Sequence, residues 1–259
     1  MAHHPDNVHA AQVLPGDHNR RLQDTPEIQE ALRDLASCFR MAAVLGLEEG
    51  ICNHFSAVVP GHDDLFLVNP YGYAFSEITP ESLLICDYDG AVLAGEGVPE
   101  ATAFYIHARL HKHCPRARAA FHTHMPYATA LSMTEGDPLV FAGQTALKFY
   151  GRIAVDTNFN GLALDASEGD RIAGALGDAD ILFMRNHGVM VTAPTIAEAW
   201  DDLYYLERAA QVQCIAMATG RPLIPVSADI AARTHRQMRE EDAGSARQHL
   251  RSVRRRAGF

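Results

Sequence analysis

The stretch DILFMRNHGVMVT, residues 180–192, leaves the chain little freedom. Two apolar runs of strand length flank only four residues, Arg185 to Gly188, and Asn-His-Gly is the chemistry of a tight turn. Turns at strand ends are where functional side chains are presented, and this one presents His187. A second apolar run, RARAAFHTH, ends on His122 and His124. Residues two apart on a strand point to the same side, so these two imidazoles aim at one place, and Met125-Pro126 then turns the chain away. A strand that only packs has no use for imidazoles there. Three neutral imidazoles bind a first-row divalent ion and leave coordination positions for substrate or water. The chain has 14 histidines, so one H-x-H is weak by itself; the second strand end carries the reading. His107 and His111 compete as an i, i+4 pair, but no acid stands between them and the metalloprotease H-E-x-x-H pattern is absent. His107 falls on an apolar face and reads as a hydrogen-bonded core histidine.

Elsewhere strands and helices mix irregularly. Thr25 and Pro26 open a helix that closes near Gly46. HFSAVVPGHDDLFLVNP reads as two strands around a Gly-His-Asp-Asp turn, and LLICDYDGAVL as a hairpin turning at Asp89-Gly90. Pro99 starts a helix to about His113, Pro126 starts another, and a further one spans 142–149. Ser167 caps a helix over SEGDRIAGALGD. The longest helical signal is capped by Thr195 and closed by Gly220. The chain beyond Pro225 is polar and helical with no core of its own. The pattern predicts one α/β domain with a mostly antiparallel sheet flanked by helices and a helical C-terminal extension. Residues 1–24 read as a loose arm, 25–225 as the domain, and 226–259 as the basic extension.

Composition narrows the function classes. At 259 residues and 47% hydrophobic, the chain suits one large domain or two small ones. Residues 228–259 carry eight arginines and four acids, a balance of +4, so the rest carries −14 of a total of −10. An acidic body argues against nucleic acid as a partner. No apolar run approaches membrane-spanning length, and MAHHPDNVHA lacks the basic start and apolar stretch of a secretion signal. Five scattered cysteines without a C-x-x-C pair fit reduced thiols in a cytoplasmic protein.

Five segments, GLEEGICNHFSAVVPG, FLVNPYGYAFSEITPESLL, AAFHTHMPYATALS, ILFMRNHGVMV and TIAEAW, occur in an order that resembles the class II aldolase/adducin family, over about Leu45 to Thr219. The resemblance implies a three-layer α/β/α domain and a homotetramer with active sites between subunits. It also implies metal ligands at His122, His124 and His187, most often for Zn2+, sometimes for Mn2+ or Fe2+. Two departures matter. The aldolase glutamate that serves as fourth ligand and proton-transfer group falls on Ala103, with Glu100 about one helical turn earlier. The phosphate-holding positions fall on His54, Tyr71-Gly72 and Ala101-Thr102, so an unphosphorylated small molecule is expected, and NPYGYAFSEIT follows the pattern of the adducin-like branch.

A bound dication with open positions can act as a Lewis acid on the anion left by carbon–carbon cleavage next to a carbonyl. Aldol cleavage and decarboxylation share that anion. Decarboxylation needs no base to take a hydroxyl proton, so the missing glutamate tilts the reading toward it. The candidate catalytic residues are His54, Tyr71 and Glu100. The candidate substrate contacts are Asn53, Gly72, Thr102, Tyr127, Gln144 and Tyr150. Two other readings stay open: a non-catalytic adducin-like assembly module, and a ferrous oxygenase on the same three histidines.

Overall fold

In a computed structural model, which describes residues 22–259, eight strands form one sheet. The strands are β1 (His54–Val58), β2 (Leu65–Val68), β3 (Leu84–Asp87), β4 (Val92–Ala94), β5 (Ala119–Thr123), β6 (Ile153–Asp156), β7 (Ile181–Met184) and β8 (Gly188–Ala193). Their order across the sheet is β4-β3-β2-β1-β5-β8-β7-β6. Every pair is antiparallel except β6 with β7. The helices are α1 (Pro26–Leu45), α2 (Ala101–His113), α3 (Pro126–Ser132), α4 (Gln144–Leu147), α5 (Ala166–Leu176), α6 (Ile196–Met217) and α7 (Ala228–Ala257).

The register of β5 explains the layering. Phe121 faces Phe55 and Val191 across its two neighbours and belongs to the larger core, with α1 and α6. Phe55 and Phe121 stack at 4.1 Å between centroids, next to Phe39 of α1. Residues one step away in register, Ala120 and Met190, point to the other face, which α2 and α5 cover. Helices therefore lie on both sides of the sheet, and the three-layer α/β/α architecture is as expected.

Local capping follows the sequence with some differences. Gly46 ends α1 in the left-handed region at φ 67°, and Thr195 Oγ1 accepts from Glu198 N–H to start α6. The cap of α5 is Asp165, two residues before Ser167, because its carboxylate accepts from both Ser167 and Glu168 N–H. Helix α2 begins at Ala101, after Pro99, with Glu100 as its cap. The 142–149 segment forms only one turn of helix, α4. Strand β6 has no counterpart in the sequence reading: it has four residues, three of them half-buried, and it sits at the sheet edge.

The C-terminal helix α7 finds its core on the body. Leu250 and Val253 join the main cluster beside α1 and α6. Lys148 lies 2.6 Å from Asp242 of α7 and 3.0 and 3.3 Å from Asp201 and Asp202 of α6. Arg152 pairs with Asp180 and Asp202, and His249 Nδ1 lies 2.7 Å from Asp201. The expectation of a loose arm at 1–24 lies, for residues 1–21, outside the described residues. Among the described residues no helix is long and apolar enough to cross a membrane, and all five cysteines are free, with Cys52 exposed.

Candidate metal centre

Strand β5 and the β7–β8 turn are neighbours in the sheet, so the ends of both deliver histidines to one spot. The rings of His122, His124 and His187 form a nearly equilateral triangle, with centroids 5.0, 4.8 and 4.9 Å apart. One nitrogen from each lies within 4.8 Å of the other two. Three ligands at about 2.1 Å around a tetrahedral ion are about 3.4 Å apart, so small ring movements close the cage. The turn that carries His187 is built for close approach. Asn186 sits at φ 55°, a region that Asn tolerates better than most residues. A Cβ on Gly188 would lie 2.6 Å from the Thr123 carbonyl oxygen and 2.8 Å from His124 Cδ2.

The outer contacts fix how the rings face. His122 Nδ1 lies 2.9 Å from the Val189 carbonyl oxygen. A carbonyl only accepts, so Nδ1 carries the hydrogen and Nε2 keeps its lone pair. His124 Nδ1 bonds the Glu49 carboxylate, which leaves His124 Nε2 buried and without a hydrogen-bond partner. Carbonyl and carboxylate partners on the far nitrogen are the usual supports of metal-binding histidines. Burial, with the neighbouring imidazoles second, pushes His122 well below its ordinary pKa and His187 to about 4. Both rings are thus neutral near pH 7, the form a metal requires. An orphaned buried nitrogen, a fixed tautomer and an all-imidazole donor set fit a divalent first-row ion.

Sequence reasoning missed Glu49. Its motif, GLEEGICNHF, was visible, but nothing local ties residue 49 to residue 124. Asn53 makes that tie: its Oδ1 accepts from Glu49 N–H at 2.7 Å and from His124 N–H at 3.4 Å, while its Nδ2 is buried without a partner. Glu207 of α6 adds a second anchor by accepting from Tyr127 and Ala128 N–H, which pins α3 immediately after His124.

His54 pairs in register with His122, and the two rings stack at 5.8 Å between centroids. Its Nε2 lies 3.4 Å from Glu100 Oε2, yet neither ring nitrogen has a well-formed hydrogen bond. Burial lowers the His54 pKa, and Glu100 opposes that shift. Burial acts to raise Glu100, but His54, the Thr102 hydroxyl and Ala103 N–H together hold it at about 2. Thr102 therefore serves Glu100 directly. Ala103, where the resemblance placed the aldolase glutamate, is fully buried.

The remaining candidates lie elsewhere. Tyr71, half exposed, and Gly72, at φ 90°, form a turn tied to the loop before α2 by Tyr71 N–H to the Val98 carbonyl. Tyr127 lines a cleft with Leu47, Tyr204 and Glu207, and Gln144 a larger groove with Val212 and Ile224. Tyr150 packs on Phe141. Neither lining includes any of the three imidazoles.

Residues 33–214 match the family described as Class II Aldolase and Adducin N-terminal domain. The chain belongs to that family. Among curated relatives, a putative aldolase class 2 protein of Caulobacter vibrioides is 33% identical over 205 residues, covering 78% of each chain. The decarboxylase NovR of Streptomyces niveus is also 33% identical, covering 78% of this chain and 75% of its own. An aldolase II superfamily protein from Pseudomonas syringae has a solved structure that aligns with a TM-score of 0.84 at 30% identity, over 92% of this chain and 96% of that one. The three-histidine cluster thus stands in a class II aldolase/adducin fold, as the resemblance implied.

Proposed function

We propose that the protein is a metal-dependent carbon–carbon lyase acting on an unphosphorylated, carboxylate-bearing small molecule, with decarboxylation favoured over aldol cleavage. One observation carries this reading: three imidazoles converge as an equilateral triangle, with far-side partners on two of them. His122, His124 and His187 would hold the ion, Zn2+ first and Mn2+ or Fe2+ as alternatives. When bound, the ion supplies Lewis-acid stabilisation for the negative charge that cleavage next to a carbonyl leaves behind. Its relative NovR is described as a decarboxylase, which supports the choice between the two cleavages.

The chain's own residues supply the proton traffic and the substrate filter. His54 is neutral at rest and takes up a proton on Nε2, beside the ionised Glu100 carboxylate. Burial makes a His54 imidazolium a stronger acid, and the Glu100 carboxylate beside it keeps that imidazolium accessible. The pair can return a proton to the carbon that lost its substituent. Glu100 also decides against phosphate. The N-terminus of α2 is where an anion would bind, and Glu100 already accepts Ala103 N–H there and places its own negative charge in the way. Gln144, Tyr127 and Tyr150 serve substrate only where one subunit completes the site of another, in an assembly we propose to be a homotetramer; a cytoplasmic setting accords with the free cysteines.

The test is turnover of candidate hydroxy- and oxo-carboxylates by the metal-loaded protein, under air and under argon. Equal release of carbon dioxide or carbonyl product in both atmospheres, lost in His124→Ala, supports the lyase. A requirement for oxygen replaces it with the oxygenase reading, and absence of any bound metal replaces it with a scaffold.

A further inference from the structure

Behind His54 the interior holds a chain of polar groups that the proposed chemistry has not used. Ser56 follows His54 by two residues on β1 and so faces the same way. Its Oγ lies 2.5 Å from His107 Nδ1 and 2.7 Å from His111 Nε2, both on α2. All three residues are buried. At the far end, His111 Nδ1 lies 2.7 Å from the Ala117 carbonyl oxygen.

That carbonyl sets the direction of the whole chain. It only accepts, so His111 carries its hydrogen on Nδ1. Burial holds His111 near pKa 4 and His107 well below its ordinary value, so both rings are neutral. His111 Nε2 is then a bare acceptor and takes the single hydroxyl hydrogen of Ser56. Ser56 Oγ in turn accepts from His107 Nδ1–H. The remaining nitrogen, His107 Nε2, is left as a buried lone pair and has no hydrogen-bond partner.

The group beside that lone pair is His54. The two rings meet edge to face, with centroids 5.9 Å apart at 86°, and both His54 nitrogens lack a hydrogen bond. Three unpartnered buried nitrogens on two neighbouring rings cost several times the worth of one hydrogen bond unless they serve one another, directly or through an ordered water. His54 Nε2 lies beside Glu100, so Nδ1 is the nitrogen left for His107.

We propose that Ser56, His107 and His111 are positioning residues of the active site: a one-way hydrogen-bond chain, anchored on the Ala117 carbonyl, that holds His54 with its hydrogen on Nδ1 and frees Nε2 for proton transfer at the site. This rests on His54 being the proton-transfer group of the proposed lyase. It gives the buried i, i+4 histidine pair a job that neither metal binding nor packing supplies.

The experiment is nitrogen NMR of the full-length, zinc-loaded protein labelled with 15N-histidine. The expected native spectrum shows His111, His107 and His54 each as a single neutral Nδ1–H tautomer. In Ser56→Ala the His54 resonances become a mixture of tautomers, while Zn2+ affinity drops by less than the roughly tenfold loss expected when a partner bonded to a ligand is removed. Ser56→Thr, which keeps the hydroxyl, restores the native pattern. An Nε2–H tautomer on His107 or His111 in the native protein overturns the proposal, and so does a His54 signal indifferent to Ser56→Ala. If that variant does not fold, the native spectrum decides alone. Zinc that fails to bind overturns the enzymatic reading instead, and the zinc-free spectrum still reports the chain's direction.

Discussion

Two buried polar clusters differ in how completely their groups are partnered. Around Lys148 and Arg152 the cations meet Asp180, Asp201, Asp202 and Asp242, and His249 bridges Asp201 and the Trp200 indole N–H. None of these side chains has an unpartnered buried atom. Around His122 the opposite holds: His124 Nε2, both nitrogens of His54, His107 Nε2 and Asn53 Nδ2 are buried without partners. Buried polar groups in native proteins are almost always satisfied, so a concentration of exceptions marks a place organised around something other than the chain itself. The first cluster clamps α7 and α6 together; the second surrounds the three histidines that we propose hold an ion.

If that contrast is right, the two clusters should respond differently to mutation. Asp202→Ala removes the shared partner of Lys148 and Arg152 and leaves buried positive charge. It should cost about 3–5 kcal/mol of stability, read as a lowered urea midpoint, with zinc affinity of the folded fraction unchanged. Gly188→Ala should do both kinds of damage. Its Cβ meets backbone at Thr123 and the His124 ring, so a loss of about 1–3 kcal/mol is expected together with weaker zinc binding. Glu49→Gln should leave the melting temperature of the metal-free protein nearly unchanged and weaken zinc by about 10–100-fold in calorimetry.

The smallest effect is on pH dependence. His187 is held at about 4 in the folded chain, and burial holds His122 well below its ordinary value, against 6.5 for the free group. The unfolded chain therefore takes up protons below about pH 6.5 that the folded chain refuses. Stability from these two rings is complete above 6.5 and is lost as pH falls from there toward 4. Replacing His187 with Gln should flatten the fall of the urea midpoint between pH 6.5 and 4.5. An unchanged slope would mean that burial does not hold this ring neutral.

The contrast also explains what could be read from the sequence. The period-two spacing of His122 and His124, and the tight turn at Asn186-His187-Gly188, are local signals, and they led straight to the triangle. The apolar runs of β5, β7 and β8 were equally plain. Strand β6 was not, since Ile153–Asp156 is short, half-buried and bounded by Arg152 and Asp156, whose partners lie far along the chain. Glu49 and Ser56 stayed hidden for the same reason: their partners, His124, His107 and His111, are 51 to 75 residues away. Sequence patterning reports which face a residue takes; it does not report which distant group meets it there. The four-residue turn α4 shows a related limit, because a helical pattern over 142–149 does not say how much of it tertiary packing will keep.

The most direct test is the metal itself. Protein purified without chelators and titrated with Zn2+ in a calorimeter should bind one ion per chain, and His122→Ala, His124→Ala and His187→Ala should each abolish that binding while remaining folded. Stoichiometric binding that survives the loss of His187, or no binding by the native chain, would show that the three imidazoles do not act as one centre.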